Sequence, residues 1–180
     1  FIGSMISSLT TIKESMMARV GNSIIKGIEV QEIITTLNRA YADEWLAYYQ
    51  YFIEAKVVKG LMKDAAIAEL VQHAADELRH ATMVADRIIQ LGGAPLLHPA
   101  DWLKQTNCGY DAPNDFDVVA VLKDAIKGEQ CAIATYSSIV DLTRNKDIVT
   151  YDLVSQILAD EVMHEEDLQN LRGRDAADRR

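Results

Sequence analysis

Apolar residues recur along most of this chain in alternating steps of three and four, the spacing of helices that bury one face. The first such stretch runs from about Val30 to Lys59, with Ile33, Leu37, Ala40, Tyr48, Tyr51 and Ala55 on one side and Gly60 placed to end it. The second, about Lys63 to Leu91, carries Ile67, Leu70, Ala74, Ala81, Val84, Ile88 and Leu91, and stops at Gly92-Gly93-Ala94-Pro95. A connector of about 25 residues follows, long enough to be functional or to hold structure of its own. Within it Pro99 to Gln105 reads as a short helix. The third long helix begins near Asp115 or Asp117, either a suitable N-cap, and presents Leu122, Ile126, Ile133, Tyr136 and Val140. Asn145-Lys146-Asp147 interrupts the pattern, and the fourth helix starts between Asp147 and Thr150, with Val154, Ile157, Leu168 and Leu171 on its face. Connections that are short, long and short predict an all-α, up-down-down-up four-helix bundle with one long crossover.

Composition narrows the function. The chain has 180 residues, 49% hydrophobic and 25% charged, enough for one well-buried core. We read an N-terminal extension over 1–28, a bundle over 29–171 and a charged tail over 172–180; residues 1–4 read as a cloning remnant, because Gly3-Ser4 directly precede Met5. A net charge of -9 disfavours general nucleic-acid binding, which needs clustered Lys and Arg, and makes cations the natural clients. Residues 5–28 carry only Lys13, Arg19 and Lys26 against Glu14, and Arg172, Arg174, Arg179 and Arg180 are offset by Asp175 and Asp178, so direct DNA binding is not expected. There is no apolar run of about 18 residues for a membrane span. The start lacks a charged-then-apolar leader, so a cytoplasmic location is expected. The two cysteines, Cys108 and Cys131, form no CxxC, which argues against a zinc ribbon or a disulfide-rich secreted scaffold.

The apolar stripe of every long helix is interrupted by a glutamate at a core-facing position: Glu44, Glu77, Glu129 and Glu161. An unpaired ionised carboxylate in an apolar interior costs several kcal/mol or more, so four in one core require compensation. These faces carry no Lys or Arg between the apolar positions, but His80 follows Glu77 by three residues and His164 follows Glu161 by three, each on its glutamate's face. Four carboxylates and two neutral imidazoles match the charge of two divalent cations. Oxygen-rich ligation with one imidazole per ion suits iron or manganese better than structural zinc or calcium. Glu44 to Glu77 spans 33 residues and Glu129 to Glu161 spans 32, each pair completed by a histidine three residues on. One ExxH on a helix means little, whereas two at matched distances from a lone core glutamate form a specific signal.

Over nearly all of residues 29–171 the chain resembles the ferritin and bacterioferritin superfamily, most specifically in Asp76-Glu77-Leu78-Arg79-His80 and Asp160-Glu161-Val162-Met163-His164. The resemblance implies that Glu77 and Glu161 bridge two irons per subunit, with Glu44 and His80 completing one site and Glu129 and His164 the other. Tyr51 resembles the tyrosine often found beside such centres, with a role in electron transfer. Bacterioferritin's haem methionine is replaced by Leu78, so no haem is expected. Only Arg172 to Arg180 follow the fourth helix, without the apolar fifth helix of twenty-four-subunit shells. The chain is similar instead to the Dps-like group, which joins a bacterioferritin-type centre to a shell of twelve and has two cysteines near the metal, as Cys108 and Cys131 would be.

That group implies a ferroxidase that oxidises Fe(II) with hydrogen peroxide or dioxygen, stores iron and protects against oxidative stress. The rival readings are a rubrerythrin-like peroxidase, a manganese catalase and a DNA-protecting Dps-type protein. Cys131 lies two residues from Glu129, roughly 200° around the helix, so it reads as a redox neighbour or staple rather than a ligand. If the connector brings Cys108 within reach, a reversible redox pair is expected in a reducing compartment. His73, four residues before Glu77, is either a hydrogen-bonded core histidine or a residue for metal passage or a further site. Glu165-Glu166-Asp167 is either a solvated run or a guide for iron.

Overall fold

The computed structural model describes residues 20–178. The expected cloning remnant, most of the N-terminal extension, Arg179 and Arg180 lie outside the described residues. A short 3-10 turn, Val20–Ile24, leads into four long helices and one short one: α1 Val30–Val57, α2 Lys63–Gln90, α3 Trp102–Gln105, α4 Val118–Thr143 and α5 Ile148–Asp178. Helix α3 is entered through a 3-10 turn at Pro99–Asp101, so the short helix expected in the connector is present.

Two apolar clusters fix the direction of each helix. Ile33 and Leu37 of α1, Val84 and Ile88 of α2, Tyr136 and Ile139 of α4, and Val154 and Ile157 of α5 pack at one end of the bundle. Ala55, Leu70, Leu122 and Leu168 pack at the other. The start of α1 therefore lies beside the ends of α2 and α4 and the start of α5, the up-down-down-up order. Between the two clusters lies the level of the six core-facing polar residues.

The ends of the helices are set by specific contacts. Asp117 caps α4, its side chain accepting from the Val119 backbone N–H at 3.0 Å. Helix α1 ends two residues earlier than periodicity indicates, because Lys59 turns away to donate to the Phe116 carbonyl and to accept from the Val118 N–H. Gly60, at φ +108°, makes the following turn. Asp147, fully buried, caps the start of α5 through the Val149 and Thr150 N–H groups and pairs with Arg87 of α2 at 2.8 Å.

Helix α5 continues to Asp178, through most of the stretch expected to be a separate tail. Extending an existing helix needs no new nucleus, and Arg and Ala are good helix formers, so a segment with no apolar face can still prolong α5. Among the described residues no helix is long and apolar enough to cross a membrane.

The connector is pinned beside α1. Trp102 stacks on Trp45 with ring centroids 5.0 Å apart. Buried Asp43 accepts from the Thr106 hydroxyl, from the Asn107 backbone at 2.8 Å and side chain at 2.6 Å, and from the Cys108 N–H at 3.0 Å. Cys108 is thereby held against α4 and is disulfide-bonded to Cys131, with Cα atoms 5.8 Å apart.

Candidate metal centre

Glu44, Glu77, His80, Glu129, Glu161 and His164 are each no more than 2% exposed, too buried to be solvated surface groups. The helical period explains the convergence: each glutamate takes a place in an apolar stripe, and each histidine sits one turn further along the same helix. Three carboxylates surround the Nδ1 atom of His80, Glu161 at 3.1 Å, Glu77 at 3.3 Å and Glu44 at 3.5 Å. Around His164 Nδ1 stand Glu161 at 3.5 Å and Glu77 and Glu129 at 3.7 Å each.

Glu44, Glu77, His80 and Glu161 thus form one group of donors and Glu77, Glu129, Glu161 and His164 another, each with ligand atoms within 4.8 Å of one another. Donors around one ion, with bonds of about 2.0–2.2 Å, stand about 3 Å or more apart, so both groups have the dimensions of a cation site. The two groups share Glu77 and Glu161. Both oxygens of Glu161, Glu44 Oε2 and His164 Nδ1 are buried without a well-aligned hydrogen bond, an expensive arrangement for groups whose only role is packing. The donor set could hold metal.

The electrostatics of the protein alone express the same crowding. Burial raises the Glu44, Glu77 and Glu129 carboxyls above the usual range, and the charge of Glu161 adds to it. Burial opposes the charge of Glu161 as well, but His164 and His80 outweigh it and hold this carboxyl down at about 2. Burial likewise disfavours a charged His80, yet Glu161, Glu44 and Glu77 together raise its pKa far above the ordinary value. Protons therefore supply part of the positive charge that the cluster demands, and cation binding must displace them.

A second ring of residues orients the first. The outer nitrogen of His80 lies 3.2 Å from Asp160, and that of His164 lies 3.5 Å from Asp76. Each aspartate directly precedes the glutamate of the opposite motif, and Arg79 joins them, 3.0 Å from Asp76 and 2.9 Å from Asp160. Such carboxylate partners fix the ring orientation and leave Nδ1 free to ligate. Tyr51 donates its hydroxyl hydrogen to Glu129, and Tyr136 does the same to Glu44. Burial, with the nearby Glu129 and Glu44 charges, keeps both phenols protonated and therefore donors.

Several of these partners carry little signal in the sequence. Tyr136 reads from spacing only as an apolar-face residue, although it follows Glu129 by seven residues as Tyr51 follows Glu44. Asp76 and Asp160 stood inside the two motifs without a role, and Asp43 had no sequence signal. His73 is 1% exposed, its Nδ1 lies 3.7 Å from Glu129 without a hydrogen-bond partner, and its ring stacks on that of His164. Burial, with His164 beside it, pushes the pKa of His73 down to about 4.

A cavity of about 230 Å³ reaches the centre from the side of the connector, with Glu44, Glu77 and Glu129 at its inner end and the Cys108–Cys131 disulfide in its wall. Neither cysteine belongs to a donor group.

Fold and site together define a helical-bundle protein built around a buried carboxylate and histidine centre. Residues 34–176 match the model of the ferritin-like domain, and the chain belongs to that family, within it to the Dps-like group. The DNA protection during starvation protein of Pyrococcus furiosus is 34% identical over 142 residues, 77% of this chain and 76% of that protein. A bacterioferritin of Desulfovibrio desulfuricans is 29% identical over 134 residues, 74% of this chain and 70% of that one. Among solved structures, a dodecameric thioferritin, the bacterioferritin-related protein from Bacteroides fragilis, superposes with a TM-score of 0.83 at 42% identity, over 84% of this chain and 90% of that one.

Proposed function

We propose that this protein is a ferroxidase and iron-storage protein whose substrate is a pair of Fe(II) ions held by Glu44, Glu77, His80, Glu129, Glu161 and His164. The observation that carries the reading is the sharing of Glu77 and Glu161 between two four-donor groups, which suits two ions acted on together. Each Fe(II) gives up one electron, and two electrons with two protons reduce one hydrogen peroxide to two waters; dioxygen is the alternative acceptor. Those two protons come from solvent through the cavity that reaches the centre, because cation binding displaces the protons held by the donor residues. Manganese fits the same donors, but two one-electron oxidations of a cation that then leaves suit an iron-storing shell.

Twelve subunits is the assembly we propose, by likeness to the dodecameric thioferritin. The relative in Pyrococcus furiosus is named for DNA protection. With a net charge of -9, this chain would protect by consuming Fe(II) and peroxide rather than by coating DNA.

Stopped-flow mixing of anaerobic Fe(II)-loaded protein with peroxide tests the reading. Glu161→Ala should lower the oxidation rate more than about 100-fold, since even orienting partners of ligands cost 10–100-fold. Its thermal stability without metal should fall, because the change removes a carboxylate that compensates the buried His80 charge, and far-ultraviolet circular dichroism verifies that it still folds. A wild-type rate in this variant would sink the assignment. Light scattering should give twelve subunits, and aerobic iron loading should leave a mineral that a stand-alone peroxidase or manganese catalase would not form.

A further inference from the structure

Donor residues continue past the centre in one direction. On α2, Glu69, His73 and Glu77 follow one another at four-residue steps; on α5, Glu161, His164 and Asp167 follow at three-residue steps. The helices are antiparallel, so the levels pair as Glu77 with Glu161, His73 with His164, and Glu69 with Asp167. His73, Glu129 and His164 are close enough to share an ion, and so are Glu69, His73 and Asp167, with donor atoms within 4.8 Å of one another.

His73 links the two groups. One ring nitrogen is directed at Glu129, 3.7 Å away, and the other at Glu69, 4.0 Å away, both beyond hydrogen-bond length. His73 is 1% exposed, its Nδ1 is buried without a hydrogen-bond partner, and its Nε2 faces Glu69 from 4.0 Å, which leaves a polar side chain open at the inner wall of the Glu69 and Asp167 pair. Those two carboxylates are themselves half-exposed, so solvent reaches the group from outside. Two carboxylates and one neutral imidazole balance one divalent cation and leave positions for water, as carboxylate-rich sites for Fe(II), Mn(II) or Zn(II) do.

We propose that Glu69, His73 and Asp167 bind a third divalent cation, at the solvent end of this ladder and one helical turn from the centre. It uses none of the six residues assigned to the inner pair. Its occupancy is therefore separable from theirs.

Anaerobic calorimetric titration of the assembled protein with Zn(II), a redox-inert probe, should show one cation per chain fewer in the double variant Glu69→Gln, Asp167→Asn than in the wild type. Both side chains are half-exposed and keep their size, so the variant folds; far-ultraviolet circular dichroism verifies this. Zinc anomalous scattering from wild-type crystals should place an ion about 2.1 Å from His73 Nε2. An equal zinc count in the two proteins, or a map with zinc at the inner pair and none at His73, would overturn the proposal. Glu161→Ala separates the two readings. Loss of the inner zinc with retention of the His73 ion supports both, whereas retention of every ion in Glu161→Ala removes the inner assignment and leaves the third site standing.

Discussion

Tyr136 donates its hydroxyl hydrogen to Glu44, a residue of the opposite helical hairpin, and Tyr51 returns the arrangement by donating to Glu129. Each tyrosine lies seven residues after the glutamate of its own hairpin and serves the glutamate of the other. The aspartates behave alike, Asp160 supporting His80 and Asp76 supporting His164. The centre has an approximate two-fold symmetry in its glutamates and histidines and in the residues that hold them.

Equivalence of the two tyrosines gives the first prediction. If both act by orienting carboxylates, Tyr51→Phe and Tyr136→Phe should each slow Fe(II) oxidation by about 10- to 150-fold, since a hydrogen bond to a charged group is worth roughly 1.5–3 kcal/mol. A much larger loss in Tyr51→Phe alone, with a tyrosyl radical seen by freeze-quench electron paramagnetic resonance in the wild type, would instead give Tyr51 the electron-transfer role that its resemblance implies.

Asp160→Asn tests the supporting ring. Asparagine keeps the size but removes the charge that orients His80 and strengthens it as a ligand, so affinity at the His80 side should fall about 10–100-fold. Competitive Co(II) binding with a chromophoric chelator measures it. Unchanged affinity would assign Asp160 to the ion pair with Arg79 alone.

The long helices were legible because their apolar stripes run for seven turns or so without a breaker, and the six polar residues were legible because they interrupt those stripes. What surrounds them was not. Asp76 and Asp160 sit at partly exposed positions where aspartate needs no explanation, and Tyr136 fills a core position as an aromatic ordinarily does. The end of α1 depends on Lys59 meeting Phe116, a contact across the fold with no periodic signature. The path of the connector, set by Asp43 and by Trp45 against Trp102, is likewise invisible to spacing, so the Cys108–Cys131 pairing could only be conditional.

Glu54 should make stability depend on pH. It is fully buried, receives one hydrogen bond from Gln50 at 3.0 Å and has one oxygen without a partner. Burial, opposed by Gln50 and aided by Asp124, raises its pKa to about 7. The folded state thus binds this proton more tightly than the unfolded chain. The resulting stabilisation is complete below the ordinary value of 4.5 and is lost as pH rises through about 7. Glu54→Gln should match the wild type in melting temperature near pH 4.5 and exceed it by several degrees at pH 8. A difference that does not vary with pH would show that Glu54 is not the group responsible.

The disulfide should behave as a redox element. Reduction should expose Cys108 and Cys131 to alkylation, and peroxide should protect both again. Cross-linking a loop of 23 residues is worth about 3 kcal/mol against unfolding, so the reduced protein should melt lower. Thiols that stay alkylated to the same extent after peroxide would remove the switching role and leave two cysteines that merely can be joined.

Because tyrosine and aspartate are exchanged between the hairpins, neither hairpin holds the full complement needed to shape its own glutamates and histidines. A change in one is felt first in the other. Over generations, compensation for a lost Tyr136 would be sought near Glu44, some ninety positions earlier in the chain, rather than among its neighbours on the same helix. The two halves descend as one heritable unit, and residues far apart in the gene should vary together where those adjacent in it do not.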